Sequence, residues 1–388
     1  MMRYQPLSEF LTEYTLRNDN NQYKPVAVGR YGIRTRDSIY SKELAKDYSK
    51  NKVIYKNTLT VGMGSVQIDI GILTEDIKYS VSPAYHTYEI HDINPTYLRY
   101  CLECRNQDMF TRFVKRGSRQ GKSIDLNRWL TYAIPVIDEQ EQAKIVSVLD
   151  RVSMQISNRH EQLELFEQLV KSRFIELFGD PFINPMKWKK IKIEEAVTIE
   201  PQNGMYKPQS DYVTDGSGTP ILRIDGFYDG VVTDFSSLKR LLCEDKEKQK
   251  YLLKEDDIVI NRVNSIEYLG KCAHITGMLE ETVYESNMMR MHFDSERFNP
   301  VYITRLLCSR FLYDQIVGHA KKAVNQASIN QKDVLDFDIY QPPIELQNQF
   351  ATFVEQTDKS KYFACQTLSF LLKLANNLQS WREKQYDY

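Results

Sequence analysis

The sequence has 388 residues, a formal net charge of −1 and an isoelectric point near 6.6. This length allows two domains, and a hydrophobic content of 42% is ample for sizeable cores. The near-neutral charge argues against a uniformly basic surface but not against a local basic patch. The first residues lack the pattern of a signal peptide, and no apolar run reaches the roughly 18 residues of a membrane span. We therefore expect a cytoplasmic protein.

The first strong pattern, "TLTVGMGSVQIDIGIL" from Thr58, predicts a strand, a tight turn ending at Ser65 and a second strand containing Gly71. Its "GMG" is similar to part of a dinucleotide-binding fingerprint. That interpretation fails because Gln67 replaces the third glycine and because no helix follows the turn.

A concentrated basic segment comes next. Asn94 and Pro95 predict a helix start, with Pro in the first turn, and Arg112–Trp129, "RFVKRGSRQGKSIDLNRW", follows with six Lys or Arg against one Asp. Lys and Arg suit phosphates, and Arg, Asn and Gln can read base edges in the major groove. We interpret this segment as a DNA-binding loop; the alternative is a solvated surface loop.

A long helix is predicted after the basic segment. Its apolar stripe consists of Ile145, Val148, Val152, Ile156, Leu163, Phe166, Val170, Phe174 and Leu177, with "FGDP" at Phe178 as the stop signal. A second, less regular stripe follows near the end of the chain, at Val354, Cys365, Leu368, Leu372, Ala375, Leu378 and Trp381. Two long amphipathic helices most simply bury their stripes against each other, whereas the alternative is that each packs on its own globule.

The chain contains an internal repeat. The segment from Asn94 aligns without a gap with the segment from Asn299, at an offset of 205 residues, through Ser123–Ile124 and Ser328–Ile329. Upstream, "IVINRVNSIEYLGKCAHI" from Ile258 resembles the first strand–turn–strand, with Ser265 ending the turn and Gly270 in the second strand. Each half thus predicts a mixed α/β globule followed by a long helix.

The repeat extends to the basic segment. Its equivalent in the second half, "GHAKKAVNQASINQKD", is again basic and rich in amides. A basic segment at one topological position in both halves favours DNA binding. The candidate DNA-binding residues are Arg30, Arg34, Arg36, Ser65, Lys115, Arg116, Arg119, Gln120, Lys122, Tyr206, Lys207, Arg223, Arg262, Asn264, Lys321, Lys322, Asn325 and Gln326.

Motifs for catalysis or metal binding are not found. The sequence lacks a phosphate-binding GxxxxGK[ST] loop, HExxH, GxSxG and the DPPY or NPPY motif of adenine methyltransferases. Cys101 and Cys104 lie close together in "CLEC", but no second pair or histidine cluster completes a zinc site, so we expect reduced cysteines in a helix. These observations favour a binding module without catalytic or metal residues.

The chain resembles the specificity subunits of type I restriction–modification systems. The resemblance covers essentially the whole chain and depends on the order and duplication of its landmarks. These are "YSVSPAYHTYEI", "TVGMGSVQIDIGIL", "GSRQGKSIDLNRWLTYAIPVIDEQEQAKI", "ELFGDP", "TPILRIDGF", "DDIVINR" and "PPIELQNQ". The chain departs from the family pattern in two places. The first half lacks the tryptophan that often opens a recognition domain, whereas Trp188 fits this place in the second half. The second half has Asn287 where the first half has Pro83.

The resemblance implies an α+β fold, with two mixed α/β target-recognition domains joined by two long antiparallel helices in a pseudo-twofold repeat. It implies a non-catalytic subunit that binds double-stranded DNA and two methyltransferase subunits, which use S-adenosylmethionine. Restriction subunits using ATP and Mg²⁺ would complete a cutting complex. The expected domains are residues 1–137 and 179–342, and the expected helices are 138–178 and 343–384.

Two other functional classes stay open from the sequence. One is a self-contained methyltransferase or nuclease, which would act on DNA without partners. The other is a coiled-coil scaffold with no role in nucleic-acid binding, which would not bind duplex DNA more tightly as salt falls. The target DNA sequence does not follow from the residues, because base reading also depends on loop geometry and DNA shape.

Overall fold

A computed structural model describes residues 3–30, 32–36, 47–117, 121–324 and 326–384, without the side chains of residues 116, 117 and 376–384. The chain forms two compact units, and each long helix contributes to both. Unit 1 comprises Met1–Asn158 and Leu368–Tyr388, and unit 2 comprises Arg159–Thr367. The expected domain edges at residues 137 and 342 remain predictions.

Unit 1 contains short strands and helices that lead into the first long helix. The strands are β1 (Arg3–Pro6), β2 (Leu11–Glu13), β3 (Val26–Gly29), β4 (Gly32–Thr35), β5 (Lys52–Ile54), β6 (Thr58–Met63), β7 (Ile68–Leu73), β8 (Tyr79–Val81), β9 (His86–Ile90), β10 (Val114–Gly117), β11 (Gly121–Ile124) and β12 (Ala133–Val136). The helices are α1 (Pro95–Cys104), α2 (Asn106–Phe113), α3 (Leu126–Trp129) and α4 (Glu139–Phe178).

Unit 2 repeats this succession with more strands. The strands are β13 (Lys189–Lys192), β14 (Val197–Asn203), β15 (Tyr212–Val213), β16 (Thr219–Leu222), β17 (Phe227–Tyr228), β18 (Gly230–Val232), β19 (Lys239–Leu241), β20 (Ile258–Asn261), β21 (Val263–Asn264), β22 (Cys272–His274), β23 (Val283–Tyr284), β24 (Met288–Phe293), β25 (Lys321–Lys322), β26 (Ala327–Ser328) and β27 (Asp338–Gln341). The helices are α5 (Asp245–Lys250), α6 (Pro300–Leu307), α7 (Arg310–His319), α8 (Gln331–Leu335) and α9 (Ile344–Lys384).

The main sheets of both units are largely antiparallel. In unit 1 the strand order is β2-β9-β6-β7, and β1 pairs with β12. In unit 2 the order is β14-β24-β20-β22-β18-β17, and β13 pairs with β27. The core of unit 1 lies between its sheet and α1–α3, whereas that of unit 2 also takes in buried side chains of α4 and α9.

The internal repeat is reproduced at the level of single hydrogen bonds. The side chains of Asn94 and Asn299 cap α1 and α6, as the Asn-Pro pattern predicts. Tyr97 donates its hydroxyl to the carbonyl of Pro135 at 3.1 Å, and Tyr302 donates to the carbonyl of Tyr340 at the same distance. The predicted fold class, with its repeat, is confirmed.

The first long helix ends where the "FGDP" signal predicts. Gly179 adopts a φ of +78°, in the left-handed region that commonly ends helices. A Cβ at this position would lie 2.6 Å from Cγ of Pro185, so the close approach of the following loop also requires glycine. The indole of Trp188 then donates to the carbonyl of Phe178 at 2.9 Å and fixes the turn.

Within unit 2 the two long helices pack against each other and run antiparallel. Glu167 of α4 pairs with Lys361 of α9 at 2.5 Å, whereas Phe174, further along α4, contacts Phe350, near the start of α9, with ring centroids 5.5 Å apart. Contacts that advance on one helix and recede on the other define an antiparallel pair. The predicted packing of the two long helices against each other is confirmed within unit 2.

The stripes themselves are partly different from the prediction. Val148 on α4 is half exposed, and on α9 Cys365 is exposed and Leu372 is 42% exposed. The buried face of α9 includes Val354, as predicted, but then passes through Thr357 and Ala364. This face includes Thr357 and the aliphatic part of Lys361, and a count of apolar residues alone does not reveal either of them. The side chains of Leu378 and Trp381 lie outside the described residues.

One strand prediction is wrong in unit 2. Gly71 lies within β7, but Gly270 precedes β22 and adopts a φ of +76°. Ser265 begins a 3₁₀ turn at Ile266–Tyr268, so the connection is longer than the tight turn expected from unit 1. Among the described residues, no helix combines the length and apolar character needed to cross a membrane.

Candidate nucleic-acid interface

The basic segment of unit 1 is a β-hairpin rather than the predicted loop. Strands β10 and β11 pair antiparallel, with Lys115 opposite Ser123 and Arg116 opposite Lys122. This pairing places the basic residues on a two-stranded ribbon. Arg119 and Gln120 lie outside the described residues, and of Arg116 only the backbone is described.

The hairpin of unit 1 touches the turn between β6 and β7. The ammonium of Lys122 donates to the backbone carbonyl of Ser65 at 2.5 Å and lies 5.2 Å from the ring centre of Phe110. The two candidates Lys122 and Ser65 are therefore brought together. Lys115 forms an ion pair with Asp125 at 2.6 Å, which partly neutralises its charge.

In unit 2 the equivalent segment joins a three-stranded sheet. Strands β25 and β26 form a hairpin, and β26 also pairs with β21, so that Asn264 lies opposite Ala327. Both β25 lysines are exposed. Of the candidate residues, the sheet contains Asn264, Lys321 and Lys322. Arg262 and Gln326 directly precede its strands β21 and β26, and Asn325 lies outside the described residues.

Some of these side chains also bind within the protein. The guanidinium of Arg262 donates to the carbonyl of Ser286 at 3.2 Å. The Asn264 side-chain oxygen accepts from the amide of Ser265 at 2.8 Å, which leaves its amino group to donate elsewhere. These contacts hold the β20–β22 connection in place beside the exposed lysines.

Candidates earlier in unit 2 form a separate group. Tyr206 is 79% exposed. Lys207 pairs with Glu247 at 2.7 Å, and this hydrogen bond raises the pKa of Lys207. Arg223 lies 3.5 Å from the Glu285 carboxylate; burial acts to lower the pKa of Arg223, but Glu285 and other partners raise it overall. Because internal carboxylates already balance these two cations, their candidacy for phosphate contacts is weaker than that of the β25 lysines.

The N-terminal arginines lie on the β3–β4 hairpin. Gly29 pairs with Gly32 across its tip, and Arg30 and Arg34 are exposed beside it. The guanidinium of Arg36 lies 5.4 Å from the ring centre of Tyr48. The structure thus places Arg30 and Arg34 on one ribbon of unit 1, with Arg36 directly after it.

Lys271 is a cation that the sequence pattern missed. Its ammonium lies 4.0 Å from the ring centre of Tyr228 and 4.3 Å from that of Tyr268, and burial lowers its pKa. Cation–π contact with two rings fixes this charge next to the β20–β22 connection. Tyr268 lies three residues away, but no sequence pattern predicts the approach of Tyr228.

The arrangement in each unit is suited to an anionic polymer. Each unit places a basic hairpin beside the segment that follows an equivalent strand, β6 in unit 1 and β20 in unit 2. Exposed lysines supply attraction to phosphates that does not depend on sequence, and neighbouring amides and arginines can read base edges.

Comparison with known proteins gives two sequence relatives. The chain is 29% identical over 177 residues to a Methanocaldococcus jannaschii protein named as a type I restriction enzyme MjaX specificity subunit, an overlap of 45% of this chain and 40% of the relative. It is 22% identical over 236 residues to the type I restriction enzyme StySPI specificity subunit of Salmonella potsdam, an overlap of 58% and 50%. The matches thus span half or less of each relative. No family model matches.

The structural comparison covers nearly the whole chain. The crystal structure of the type I restriction–modification S subunit from M. genitalium matches with a TM-score of 0.60 at 14% identity, covering 98% of this chain and 95% of that one. The chain has the fold of a type I specificity subunit. A second structure, from work on complex assembly and conformational transition of a type I restriction–modification system, matches with a TM-score of 0.54 at 16% identity, covering 98% and 96%. The resemblance seen in the sequence is confirmed.

Proposed function

We propose that the chain is the sequence-specific DNA-recognition subunit of a type I restriction–modification complex. In this proposal each globule reads one half of a bipartite site on double-stranded DNA. The observation that carries it is the basic hairpin in one topological position of both repeated units. The names of both sequence relatives support the same function.

We further propose that the chain is not itself catalytic and docks two methyltransferase subunits, with restriction subunits in systems that cut DNA. S-adenosylmethionine would then bind the methyltransferases, and ATP and Mg²⁺ the restriction subunits. Exposed apolar side chains on the long helices, such as Leu165, Leu169 and Phe363, support a docking role. A complex that modifies chromosomal DNA in this way would work in the cytoplasm.

The exposed lysines of β25 provide the first test. Replacing both Lys321 and Lys322 by alanine is expected to weaken duplex binding on the order of 10–30-fold at physiological salt and to flatten the slope of log affinity against log salt by about 2. Binding should weaken equally on different DNA sequences, because phosphate contacts carry no sequence information. The measurement is fluorescence anisotropy of labelled duplexes with the full chain at several salt concentrations.

A matched pair on α9 controls for the loss of two charges. Lys359 and Lys373 are exposed on this helix, outside the proposed DNA surface. Their double alanine variant should keep the wild-type slope. An unchanged slope in the β25 variant, or an equal change in both variants, would exclude the β25–β26 hairpin from the DNA surface.

Independent half-sites are the second expectation. Residues 1–137 and 179–342 share a frame but carry different hairpins, "KRGSRQGK" against "AKKAVNQA". Exchanging residues 1–137 for the same region of a related specificity subunit should change one half of the methylated site and leave the other. Single-molecule methylome sequencing of cells carrying the chimaera measures this, and a change in both halves would contradict separate reading.

The alternatives predict different results. Methylation or cleavage by the purified chain with DNA, Mg²⁺ and S-adenosylmethionine, without partners, would support a self-contained enzyme. Absence of duplex binding at low salt would support a scaffold without a DNA role.

A further inference from the structure

Two cysteine thiols meet inside unit 2, far apart in sequence. The sulfur of Cys272, on β22, lies 3.3 Å from the sulfur of Cys308, which follows the last turn of α6. Both cysteines are free. A disulfide needs sulfurs about 2.05 Å apart, so a shift of roughly 1.3 Å in side-chain position would bring them to bonding distance.

The two thiols have different surroundings. Cys272 is buried, with 1% of its surface exposed, whereas Cys308 is exposed. Cys308 lines a cavity of about 380 Å³ together with Lys171, Arg305 and Asp229. A small oxidant entering this cavity therefore reaches Cys308 first, and Cys272 lies behind it.

Charge and hydrogen bonding favour a reactive sulfur at Cys308. The hydrogen bond with Cys272 lowers the pKa of the Cys308 thiol, and the nearby Arg305 guanidinium lowers it further. The same contact raises the pKa of Cys272. Since the thiolate is the nucleophile, Cys308 is the attacking sulfur of the pair and Cys272 is the neighbour behind it. This is the arrangement of a redox-sensitive thiol with a resolving partner.

We propose that Cys272 and Cys308 form a peroxide-sensitive dithiol that closes to an intramolecular disulfide. The Cys308 thiolate attacks one oxygen of a hydroperoxide, the O–O bond breaks, and Cys308 becomes a sulfenic acid while water or an alcohol leaves. The sulfur of Cys272 then attacks that of Cys308, losing its proton, and the hydroxyl departs as water. Two electrons pass from the thiols to the peroxide, and a dithiol reductant reverses the reaction.

The Cys272–Cys308 disulfide would restrain the edge of the proposed DNA-reading region. Cys272 comes directly after the β20–β22 connection, which holds Arg262 and Asn264. Joining β22 to the end of α6 fixes one end of that connection to the helical layer. We expect slower backbone hydrogen exchange in residues 262–271 and a rise of several degrees in the melting temperature of unit 2, on the order of 5 °C. The thiol chemistry itself does not depend on DNA binding, so its test is separate from that of the proposed function.

The test is peptide mapping of the full chain after titration with hydrogen peroxide. Trypsin cuts after Lys271, Arg290, Arg305 and Arg310, so the disulfide would join peptide 272–290 to peptide 306–310. This linked peptide should form at peroxide concentrations about tenfold below those that oxidise the exposed Cys365. It should disappear after treatment with dithiothreitol.

Single variants identify the role of each sulfur. In Cys272→Ser, peroxide should leave a Cys308 sulfenic acid that dimedone traps, because no resolving thiol remains. Cys308→Ser should give no linked peptide, whereas the control Cys365→Ser should form it like wild type. Linkage to another cysteine, or oxidation of Cys365 before any 272–308 link in the wild-type chain, would overturn the proposal without relying on a variant that folds.

Discussion

Replacing Phe174 by alanine is expected to destabilise unit 2 by about 3–5 kcal/mol, the usual range for a buried phenylalanine. Phe174 is 7% exposed and lies at the centre of an aromatic cluster. Its ring stacks on Tyr302 with centroids 5.7 Å apart and planes inclined by 9°, and meets Phe350 edge-on at 5.5 Å. These rings belong to α4, α6 and α9, so truncation opens a cavity where the helix pair joins the globule.

The measurement is denaturant unfolding of the full chain, followed by hydrogen exchange in α6 and α9. Phe363 supplies a matched control, because it is a phenylalanine on α9 in the same unit with 70% of its surface exposed. Its alanine variant should change stability by no more than about 0.5 kcal/mol. Equal effects of the two substitutions would mean that the aromatic cluster does not hold the helices to the globule.

The long helices and the repeat could be predicted because their signals are local or copied. The apolar residues Val170, Phe174 and Leu177 recur with a helical period within one segment, and Gly179 marks the end of that helix. The gapless alignment from Asn94 and Asn299 then transfers each feature of one half to the other. The α9 face was harder to predict because Thr357 and Lys361 contribute to it alongside apolar residues.

The candidate site was predictable only in outline. Composition revealed the basic segments, but their strand pairing with distant residues depends on contacts that no local pattern encodes. Val263 pairs with Ser328 across 65 positions, and the ammonium of Lys271 meets the ring of Tyr228. The charge of Lys207 is likewise balanced within the protein by its ion pair with Glu247, which distinguishes Lys207 from a cation that faces solvent. Sequence composition counts both kinds of cation alike.

A pair of buried glutamines explains how each unit is attached to the start of its long helix. Gln347 accepts from the amide of Asn299 at 2.8 Å and donates to the carbonyls of Pro342 at 2.8 Å and Arg297 at 3.0 Å. In unit 1, Gln142 accepts from the amide of Asn94 at 2.9 Å and donates to the carbonyl of Ile137 at 2.8 Å. Each glutamine thus connects the first turn of a long helix to the residue that caps the Asn-Pro helix.

We expect Gln347→Ala to destabilise unit 2 by about 2–4 kcal/mol, because it leaves a buried amide and two carbonyls without their partner. Gln347→Met keeps most of the side-chain volume. If hydrogen bonding rather than packing is responsible, this variant should be destabilised nearly as much as Gln347→Ala. Hydrogen exchange locates the effect: Gln347→Ala should expose amides of α6 while α1 stays protected, and Gln142→Ala should do the reverse.

The neighbouring glutamines make the comparison specific. Gln349 and Gln140 are exposed on the same two helices, and their alanine variants should change stability by no more than about 0.5 kcal/mol. If Gln347→Ala behaves like Gln349→Ala, the buried bonds do not attach α9 to α6. If instead the methionine variant is as stable as wild type, side-chain volume is sufficient. The glutamine bonds would then follow from the repeat without stabilising it, since replacing a buried polar group by an apolar one of similar shape can be neutral.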